Sequence, residues 1–424
     1  MHESNRTEIR RHVAPGFERV RDVFEEGVRE FGEGGGAFCV YLRGEKVVDL
    51  WAGEARPGTA WGENTLAIIH SATKGLSALC AQILYDRSEL DPDARVAEYW
   101  PEFAQAGKED VLVRHVLSHT AGLLTFADPG SLLDWKGGGW DEYDEIAARL
   151  AAAPSAWEPG TRVGYHALTI GWLVGELVRR ITGKTIGQFF REEVAVPLGV
   201  DVRIGTPFEE QPRVADVIDL SYEREPEDAV ALDRMTREMM KDPDTLLGQA
   251  TFAMHRSSAV GQNAGFMNEP RVRAVEIAAA NGTATAAGLA RVYAMLSMDG
   301  ELDGVRIVSP ESIGVFRTQA AAGPNALYDG LRLPNGTVVN TEIRYALGYE
   351  LSIAPPGQSG PFGPVDEAFG HRGAGGQIGF CDPINHVAVG YVRNHLTLVP
   401  TFSATLIDTV YTCSAALYTQ PAPR

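Results

Sequence analysis

A serine and a lysine three residues apart have the types and spacing to do chemistry together in this 424-residue chain. Ser71 and Lys74 stand in the run IHSATKG at residues 69–75, and the small and apolar residues that follow have helical spacing to about residue 85. This pattern predicts that Ser71 lies in the first turn of a helix with Lys74 on the same face. A serine hydroxyl becomes nucleophilic when a base removes its proton, and burial and the helix dipole would both help Lys74 to lose its charge. The helix start would also direct backbone N–H groups toward an oxyanion forming at Ser71.

The alternative for this spacing is a serine at a helix N-cap followed by a solvated lysine. Two local features argue against it. Only six of the 38 basic residues are lysines, and the following helix is almost uncharged through Ala81. An uncharged helix is typical of a buried one, so Lys74 is expected near a buried face.

A tyrosine is the second candidate for chemistry. Tyr165 stands in the run GTRVGYHA at residues 160–167, which forms a loop before a helix predicted over residues 168–181. A phenol in contact with Lys74 and Ser71 would complete a proton relay, in which the phenolate is held by neighbouring positive charge. An ordinary surface tyrosine is the alternative.

A glycine-rich run, FGHRGAGG at residues 369–376, leads into a strand predicted to begin at Gln377. Glycines here would let a substrate approach the backbone and let an N–H face an oxyanion. A plain glycine-rich hairpin turn is the alternative. His119, in the run LSHTAGL at residues 117–123, is interpreted as a structural turn residue.

Composition and charge exclude several other functions. The chain is 44% hydrophobic and 22% charged, which is typical of a soluble globular protein. The net charge of −18 argues against nucleic acid or an anionic membrane as a partner. No secretory signal or membrane-spanning run is visible, which predicts a cytoplasmic protein, and the four widely spaced cysteines indicate reduced, mostly buried thiols. Motifs for metal, nucleotide or Gly-x-Ser-x-Gly chemistry are missing from the sequence, so no cofactor is expected and the oligomeric state stays open.

The order of predicted elements is strands, then helices, then strands. This order predicts an α+β fold (an α/β sandwich) in which an antiparallel sheet flanked by helices carries an inserted, mostly helical domain. We expect a discontinuous sheet domain from residues 1–88 and 305–424 and a helical domain with long pocket loops from residues 89–304. The predicted elements include strands at 37–42, 46–51, 345–351, 377–381 and 386–393, a closing helix at 402–417, and irregular stretches at 124–140 and 201–267.

Three elements occur in a particular order: Ser71-x-x-Lys74, then Tyr165 before a helix, then His371-Arg372-Gly373 before a strand. This order resembles the serine β-lactamase and penicillin-binding-protein superfamily (class C β-lactamase-like), and most closely the family VIII carboxylesterases. The runs LSHTAGL at residues 117–123 and GWLVGE at residues 171–176 resemble the same family. The resemblance extends over about residues 17–391.

The resemblance implies a role for each matching residue and an active site in the groove between the two domains. The implied roles are nucleophile for Ser71, general base for Lys74, proton shuttle to the leaving group for Tyr165, substrate binding for His371, Arg372 and Gly373 in place of the β-lactamase Lys-Thr-Gly, and oxyanion hole for the backbone N–H groups of Ser71 and Ala374. The aromatic and methionine-bearing loops at residues 124–140 and 252–267 are expected to form the acyl pocket, with Trp135 and Phe252 as substrate contacts.

Two departures from the family pattern bear on the substrate. The family's Tyr-x-Asn motif has Ala167 in place of the asparagine that holds the side chain of β-lactam and peptide substrates, and the third motif has no lysine to hold a carboxylate. Both changes favour a carboxylesterase-type serine hydrolase acting on a small-molecule ester or acyl substrate. An acyltransferase of secondary metabolism that uses the same acyl-enzyme is one alternative, and a catalytically silent binding member of the superfamily is another.

Overall fold

The computed structural model describes residues 10–30, 34–134, 136–219, 225–252, 263–354, 359–398 and 401–419. Within them, a ten-stranded antiparallel sheet has the order β1-β3-β2-β15-β14-β13-β12-β11-β10, with β4 paired to β3. The strands are β1 Arg10–Val13, β2 Gly35–Leu42, β3 Glu45–Arg56, β4 Thr59–Ala60, β5 Ala67–Ile68, β6 Val202–Arg203, β7 Thr283–Ala284, β8 Glu301–Leu302, β9 Val305–Arg306, β10 Ala321–Pro324, β11 Glu342–Tyr345, β12 Glu350–Leu351, β13 Phe369–Arg372, β14 Ile378–Asp382 and β15 Val387–Arg393.

Helices cover both faces of this sheet and form most of the chain between its two halves. They are α1 Glu18–Glu30, α2 Thr73–Asp86, α3 Val96–Tyr99, α4 Val113–Leu117, α5 Tyr143–Ala152, α6 Thr169–Thr182, α7 Ile186–Phe190, α8 Val196–Leu198, α9 Glu227–Lys241, α10 Leu246–Ala250, α11 Asn263–Asn268, α12 Pro270–Ala274, α13 Ala286–Ser297, α14 Pro310–Phe316 and α15 Thr401–Thr419. This arrangement confirms the predicted fold class.

The two halves of the chain share one sheet because β15 pairs with β2 along its whole length, with Tyr391 opposite Phe38. The hairpin between β2 and β3 turns at Arg43 and Gly44, whose φ angles are 54° and 80°. Two successive positive φ angles belong to the turn type that matches the right-handed twist of the strands it joins. The predicted joining of the N-terminal and C-terminal strands is therefore confirmed.

Two helical layers sandwich the sheet. On one face, α1 and α15 bury a core around Phe17, Phe24 and Leu406. On the other face, α13 crosses β2, β14 and β15, and it lies so close that a Cβ at Gly390 would be 2.3 Å from the carbonyl oxygen of Ala286. The main core continues from there through α2 and α6 into the helical part of the chain. The proposed boundaries between sheet and helical domains stay a prediction.

Three sequence-based predictions of local structure were wrong. Residues 201–267 were expected to be irregular, yet they contain the 15-residue helix α9, none of whose side chains is fully buried. The predicted strand at 345–351 is broken by a turn at Gly348, where φ is +85° and a Cβ would lie 2.6 Å from the Cβ of Ala78. Residues 369–372, interpreted as part of a glycine-rich loop, form strand β13.

The cysteine prediction is confirmed, since all four side chains are free thiols in buried positions. Across the residues that the structure describes, no helix is both long and apolar enough to cross a bilayer.

Candidate active site

The nucleophile candidate lies in the tight turn that leads into α2. Ser71 occupies a 3-10 turn, His70–Ala72, two residues before the first residue of α2, so the predicted place in the first turn of the helix was wrong by two residues. His70 adopts the left-handed region with φ +46°, a conformation that is costly for a residue with a Cβ and that is often found beside functional groups. The turn is held by the Thr73 hydroxyl, which donates to the His70 carbonyl at 2.6 Å.

Lys74 is buried beneath Ser71 with carbonyl oxygens as its partners. Its Nζ lies 2.8 Å from the oxygen of Ala167 and 2.8 Å from that of Ala279, and 3.4 Å from Ser71 Oγ. Burial holds the pKa of Lys74 well below its usual value, because the charged ammonium is removed from water. A neutral amine has two N–H groups and one lone pair. With both N–H groups donated to carbonyls, the lone pair is left for the proton of Ser71.

Tyr165 joins the same pair from the loop before α6. Burial raises the pKa of its phenol, and a hydrogen bond with Ser71 only partly offsets this effect. Lys74 Nζ lies 4.7 Å from the centre of the Tyr165 ring, which stacks on Tyr345 at a centroid distance of 6.4 Å. The three side chains are therefore brought together as predicted. The phenol form is favoured over the expected phenolate, because burial penalises the anion.

His371 lies on strand β13 and not in the predicted loop, and its buried side chain lies beside Ser71, Lys74 and Tyr165. It is 3% exposed, its ring is 6.2 Å from that of Tyr165, and its Nδ1 lies 2.7 Å from the carbonyl oxygen of Arg372. This contact places the proton on Nδ1 and leaves Nε2 as an acceptor. Burial lowers the pKa of His371 to about 4, and the nearby carboxylate of Glu350 offsets this effect only in part. The imidazole is therefore neutral at pH 7 and supplies no fixed positive charge.

Arg372 points the other way along the strand, and its charge is already engaged. Its Nε donates to Glu350 Oε1 at 2.9 Å, while half of its side chain remains exposed. Burial by itself raises the pKa of Glu350, but the charge and hydrogen bonds of Arg372 outweigh burial, so the carboxyl pKa lies below its usual value. This pair reduces the positive charge that Arg372 could offer a substrate carboxylate.

The two segments predicted to form the oxyanion hole are in direct contact. A Cβ at Gly373 would lie 2.3 Å from the carbonyl oxygen of Ile69 and 3.3 Å from the backbone nitrogen of Ala72. Only glycine allows this approach, which brings the backbone of Gly373 and of the exposed Ala374 beside the turn that carries Ser71. That the N–H groups of Ser71 and Ala374 bind the oxyanion stays a prediction.

The two predicted pocket residues have different outcomes. Trp135 lies outside the described residues, as do residues 253–262 of the second pocket loop. Phe252 is 3% exposed in the main core, with its ring 5.1 Å from Phe126 and 6.0 Å from Trp172. Its role as a substrate contact stays a prediction.

His119 has a more specific position than the sequence indicated. Its φ of +62° confirms the predicted turn, and its carbonyl accepts from Gly164 N at 2.9 Å while its Nδ1 accepts from His166 N at 3.0 Å. These two hydrogen bonds hold the residues on either side of Tyr165, whose ring lies 5.1 Å from the His119 ring. The motif at residues 117–123 was the available signal, but a histidine after a short helix is not by itself informative.

An apolar cluster on the Tyr165 side of the site was also missed. The buried side chains of Leu124, Leu247 and Leu327 meet there, and Tyr165 and Ala167 pack against them. These leucines come from three distant segments, so no local pattern in the sequence could have grouped them.

Comparisons with known proteins agree with this geometry. A family model described as Beta-lactamase matches residues 20–406. Esterase/beta-lactamase LipL of Mycobacterium tuberculosis is 38% identical over 373 residues, which cover 86% of this chain and 77% of LipL. The crystal structure of a family VIII carboxylesterase superposes with a TM-score of 0.79 at 33% identity, covering 96% of this chain and all (100%) of that one.

A shorter match is to monacolin J acid methylbutanoyltransferase of Aspergillus terreus, which is 31% identical over 150 residues, 31% of this chain and 35% of the relative. The family model, in contrast, extends over most of the chain, including the Ser-x-x-Lys turn, the tyrosine loop and the strand that carries His371. By its sequence, its fold and the arrangement of these three elements, the chain belongs to the beta-lactamase family.

Proposed function

We propose that this protein is a serine hydrolase that cleaves carboxylic esters through an acyl-enzyme at Ser71. One observation carries the proposal. Lys74 is buried with two carbonyl oxygens 2.8 Å from its Nζ and with Ser71 Oγ at 3.4 Å. Burial favours the neutral amine, whose lone pair can take one proton, and this is what a serine nucleophile requires of its base.

The reaction follows from the positions of the three side chains. Lys74 takes the proton of Ser71 as Oγ bonds to the ester carbonyl carbon, and the carbonyl oxygen becomes an oxyanion facing the backbone N–H groups of Ser71 and Ala374. The bond to the leaving oxygen then breaks, and that oxygen takes a proton from Tyr165, which is replenished from Lys74. Water then attacks the carbonyl carbon of the acyl-enzyme and gives up a proton through Tyr165 to Lys74. The bond to Ser71 Oγ breaks, Lys74 returns the proton to Ser71, and the acid is released.

The surroundings of the site support an ester over a β-lactam as the substrate. Ala167 offers a methyl group where an amide side chain would hold a lactam substituent. His371 is neutral and Arg372 is paired with Glu350, so a lactam carboxylate would find no unpaired cation on this strand. A simple ester needs neither contact.

The test is covalent labelling of the nucleophile. A fluorophosphonate probe, followed by peptide mass mapping, is expected to modify the peptide that carries Ser71, and the Ser71→Ala variant should not be labelled and should not release p-nitrophenol from p-nitrophenyl butyrate. Labelling of another serine while Ser71 stays free would overturn the assignment. If no serine is labelled in a well-folded protein, the result would instead support the alternative that the protein is a catalytically silent binding member of the superfamily.

Acyl transfer is the second candidate, supported by the match to a methylbutanoyltransferase. The same acyl-enzyme would then pass its acyl group to an alcohol or amine instead of water. Adding an alcohol during turnover of p-nitrophenyl butyrate distinguishes the two outcomes. At millimolar alcohol, a hydrolase should release mainly butyrate. A transferase should instead produce mainly the butyrate ester of the added alcohol.

A further inference from the structure

An apolar surface extends from the catalytic tyrosine to two helices that the sequence did not predict. Leu124, Leu247, Ala250 and Leu327 are buried together, and the half-buried Met239 and Met240 pack against them. Met239 and Met240 belong to α9 and Leu247 and Ala250 to α10, while Leu327 lies in the 3-10 turn Ala326–Tyr328. We call these six residues the Leu-Met cluster.

The Leu-Met cluster begins next to the reacting groups. Tyr165 and Ala167 both pack against it. Tyr165 shares a hydrogen bond with Ser71, and the Ala167 carbonyl lies 2.8 Å from Lys74 Nζ. A group bonded to Ser71 Oγ is therefore separated from the Leu-Met cluster by no more than the Tyr165 or Ala167 side chain.

Helix α9 has the composition of a surface that accepts varied apolar groups. Three of the chain's eight methionines, Met235, Met239 and Met240, lie on it, and no side chain of the helix is fully buried. An ion pair between Asp233 and Arg237, at 2.6 Å, lies on the same side of the helix as Met240. Methionine is unbranched and flexible, so it adapts to chains of different shape. Within the part of the chain that the structure describes, the methionines of α9 are therefore only partly covered.

We propose that the Leu-Met cluster binds an aliphatic acyl chain of medium length, so that esters of such acids are the preferred substrates. This inference rests on the proposed esterase function and specifies its substrate class. The acyl group stays on Ser71 through both half-reactions, whereas the alcohol must leave and water must enter. An apolar surface lined by α9 and α10 suits the group that stays, and the side chain of Ala167 adds a methyl group to it.

The experiment compares acyl chains on one leaving group. Against p-nitrophenyl acetate, butyrate and octanoate, the wild-type kcat/KM is expected to rise at least about tenfold from acetate to octanoate, since one fully buried methylene is worth roughly fourfold. Met239→Gln and Met240→Gln keep the side-chain length but add an amide. Each is expected to lower the octanoate-to-acetate ratio by about tenfold. Met298→Gln is the matched control, because Met298 is half-buried in the main core, and it should leave the ratio unchanged.

Thermal melting of each variant separates loss of folding from loss of chain preference. A flat chain-length profile in a protein that hydrolyses the acetate would overturn the inference while leaving the esterase proposal intact. The inference would also be overturned if kcat/KM rose with the length of the alcohol in a series of alkyl acetates. It would likewise be overturned if Met298→Gln lowered the octanoate-to-acetate ratio as much as the α9 variants do. Absence of turnover on every ester, with Ser71 unlabelled, would remove both proposals.

Discussion

The chemistry at the residue scale depends on where the protein keeps positive charge. Lys74 is deprived of water and bonded to carbonyl oxygens, while the only neighbouring arginine on β13 is paired with Glu350. The phenol of Tyr165 and the imidazole of His371 lie beside Lys74, and both are uncharged at pH 7. These two side chains therefore offer no fixed charge to a substrate, which suits an uncharged ester.

The pH dependence of activity tests this arrangement. Lys74 acts in its neutral form, so kcat/KM for p-nitrophenyl butyrate should rise with pH through the Lys74 pKa, which burial holds well below its usual value. The Tyr165 pKa is raised, so no alkaline decline is expected below about pH 9. His371, with a pKa of about 4, should not contribute between pH 5 and 9. A pH–rate profile of His371→Gln checks this, because an acid limb that shifts in that variant would assign the limb to His371 instead.

His119 supplies a second residue-scale prediction, as a positioning residue for Tyr165. Asparagine tolerates a positive φ and places Oδ1 at the same distance along the side chain as Nδ1, so His119→Asn should retain most of kcat. His119→Leu loses the bond to His166 N and should lower kcat by about ten- to a hundredfold with little change in KM, since small misplacement of a reacting group is costly. Steady-state kinetics with melting curves decide the point. A leucine variant that melts early but keeps the wild-type kcat would show a purely structural role.

At the scale of elements, the site exists because two chain segments approach closer than side chains normally permit. The turn that carries Ser71 enters α2, and β13 brings Gly373 against that turn. Helix α2 is buried from Thr73 to Leu84, so the turn cannot move independently of the core. The proposed oxyanion hole therefore depends on how β13 packs on α2.

Gly373→Ala tests this contact. The new Cβ would lie 2.3 Å from the Ile69 carbonyl oxygen, and because both partners are backbone, the strand or the turn must move. Turnover of p-nitrophenyl butyrate is expected to fall by about a hundred- to a thousandfold, as for loss of one oxyanion donor. Gly314→Ala is the control, since its Cβ meets nothing within 4 Å and lies in helix α14. Equal activity of the two variants would contradict the proposed oxyanion hole.

At the scale of the whole molecule, the proposed selectivity for substrates depends on three parts of the fold: the sheet, the helices around α6 and the α9–α10 segment. The family fold is common to esterases and β-lactamases, so the fold alone does not choose between them. The choice depends on Ala167, on the neutral His371 and on the Leu-Met cluster, which surround one nucleophile with apolar or uncharged groups.

The expected selectivity can be measured on one preparation. A β-lactam needs its carboxylate and its side-chain amide held, and two missing contacts of about 1.5–3 kcal/mol each would lower efficiency by about two to four powers of ten. We expect p-nitrophenyl butyrate to be turned over far faster than a chromogenic cephalosporin, as judged by kcat/KM. Lactam hydrolysis at a comparable or greater efficiency would contradict the esterase proposal.

The sequence by itself was sufficient for the fold class, for the pairing of Ser71 with Lys74 and for the third element, Tyr165. Ser71 and Lys74 are three residues apart, so local geometry alone brings them together, and long apolar runs such as α13 and β15 were evident from their periodicity.

The tertiary structure alone decided the charge state of the site and the surface that faces it. The two carbonyls beside Lys74 belong to residues 93 and 205 positions away, and the desolvation that lowers its pKa is set by everything packed around it. Helix α9 was missed because charged residues alternate with its apolar ones, and only the tertiary structure shows that its side chains are partly buried. Burial and contacts between distant segments are sums over the whole fold, so no window of sequence contains them.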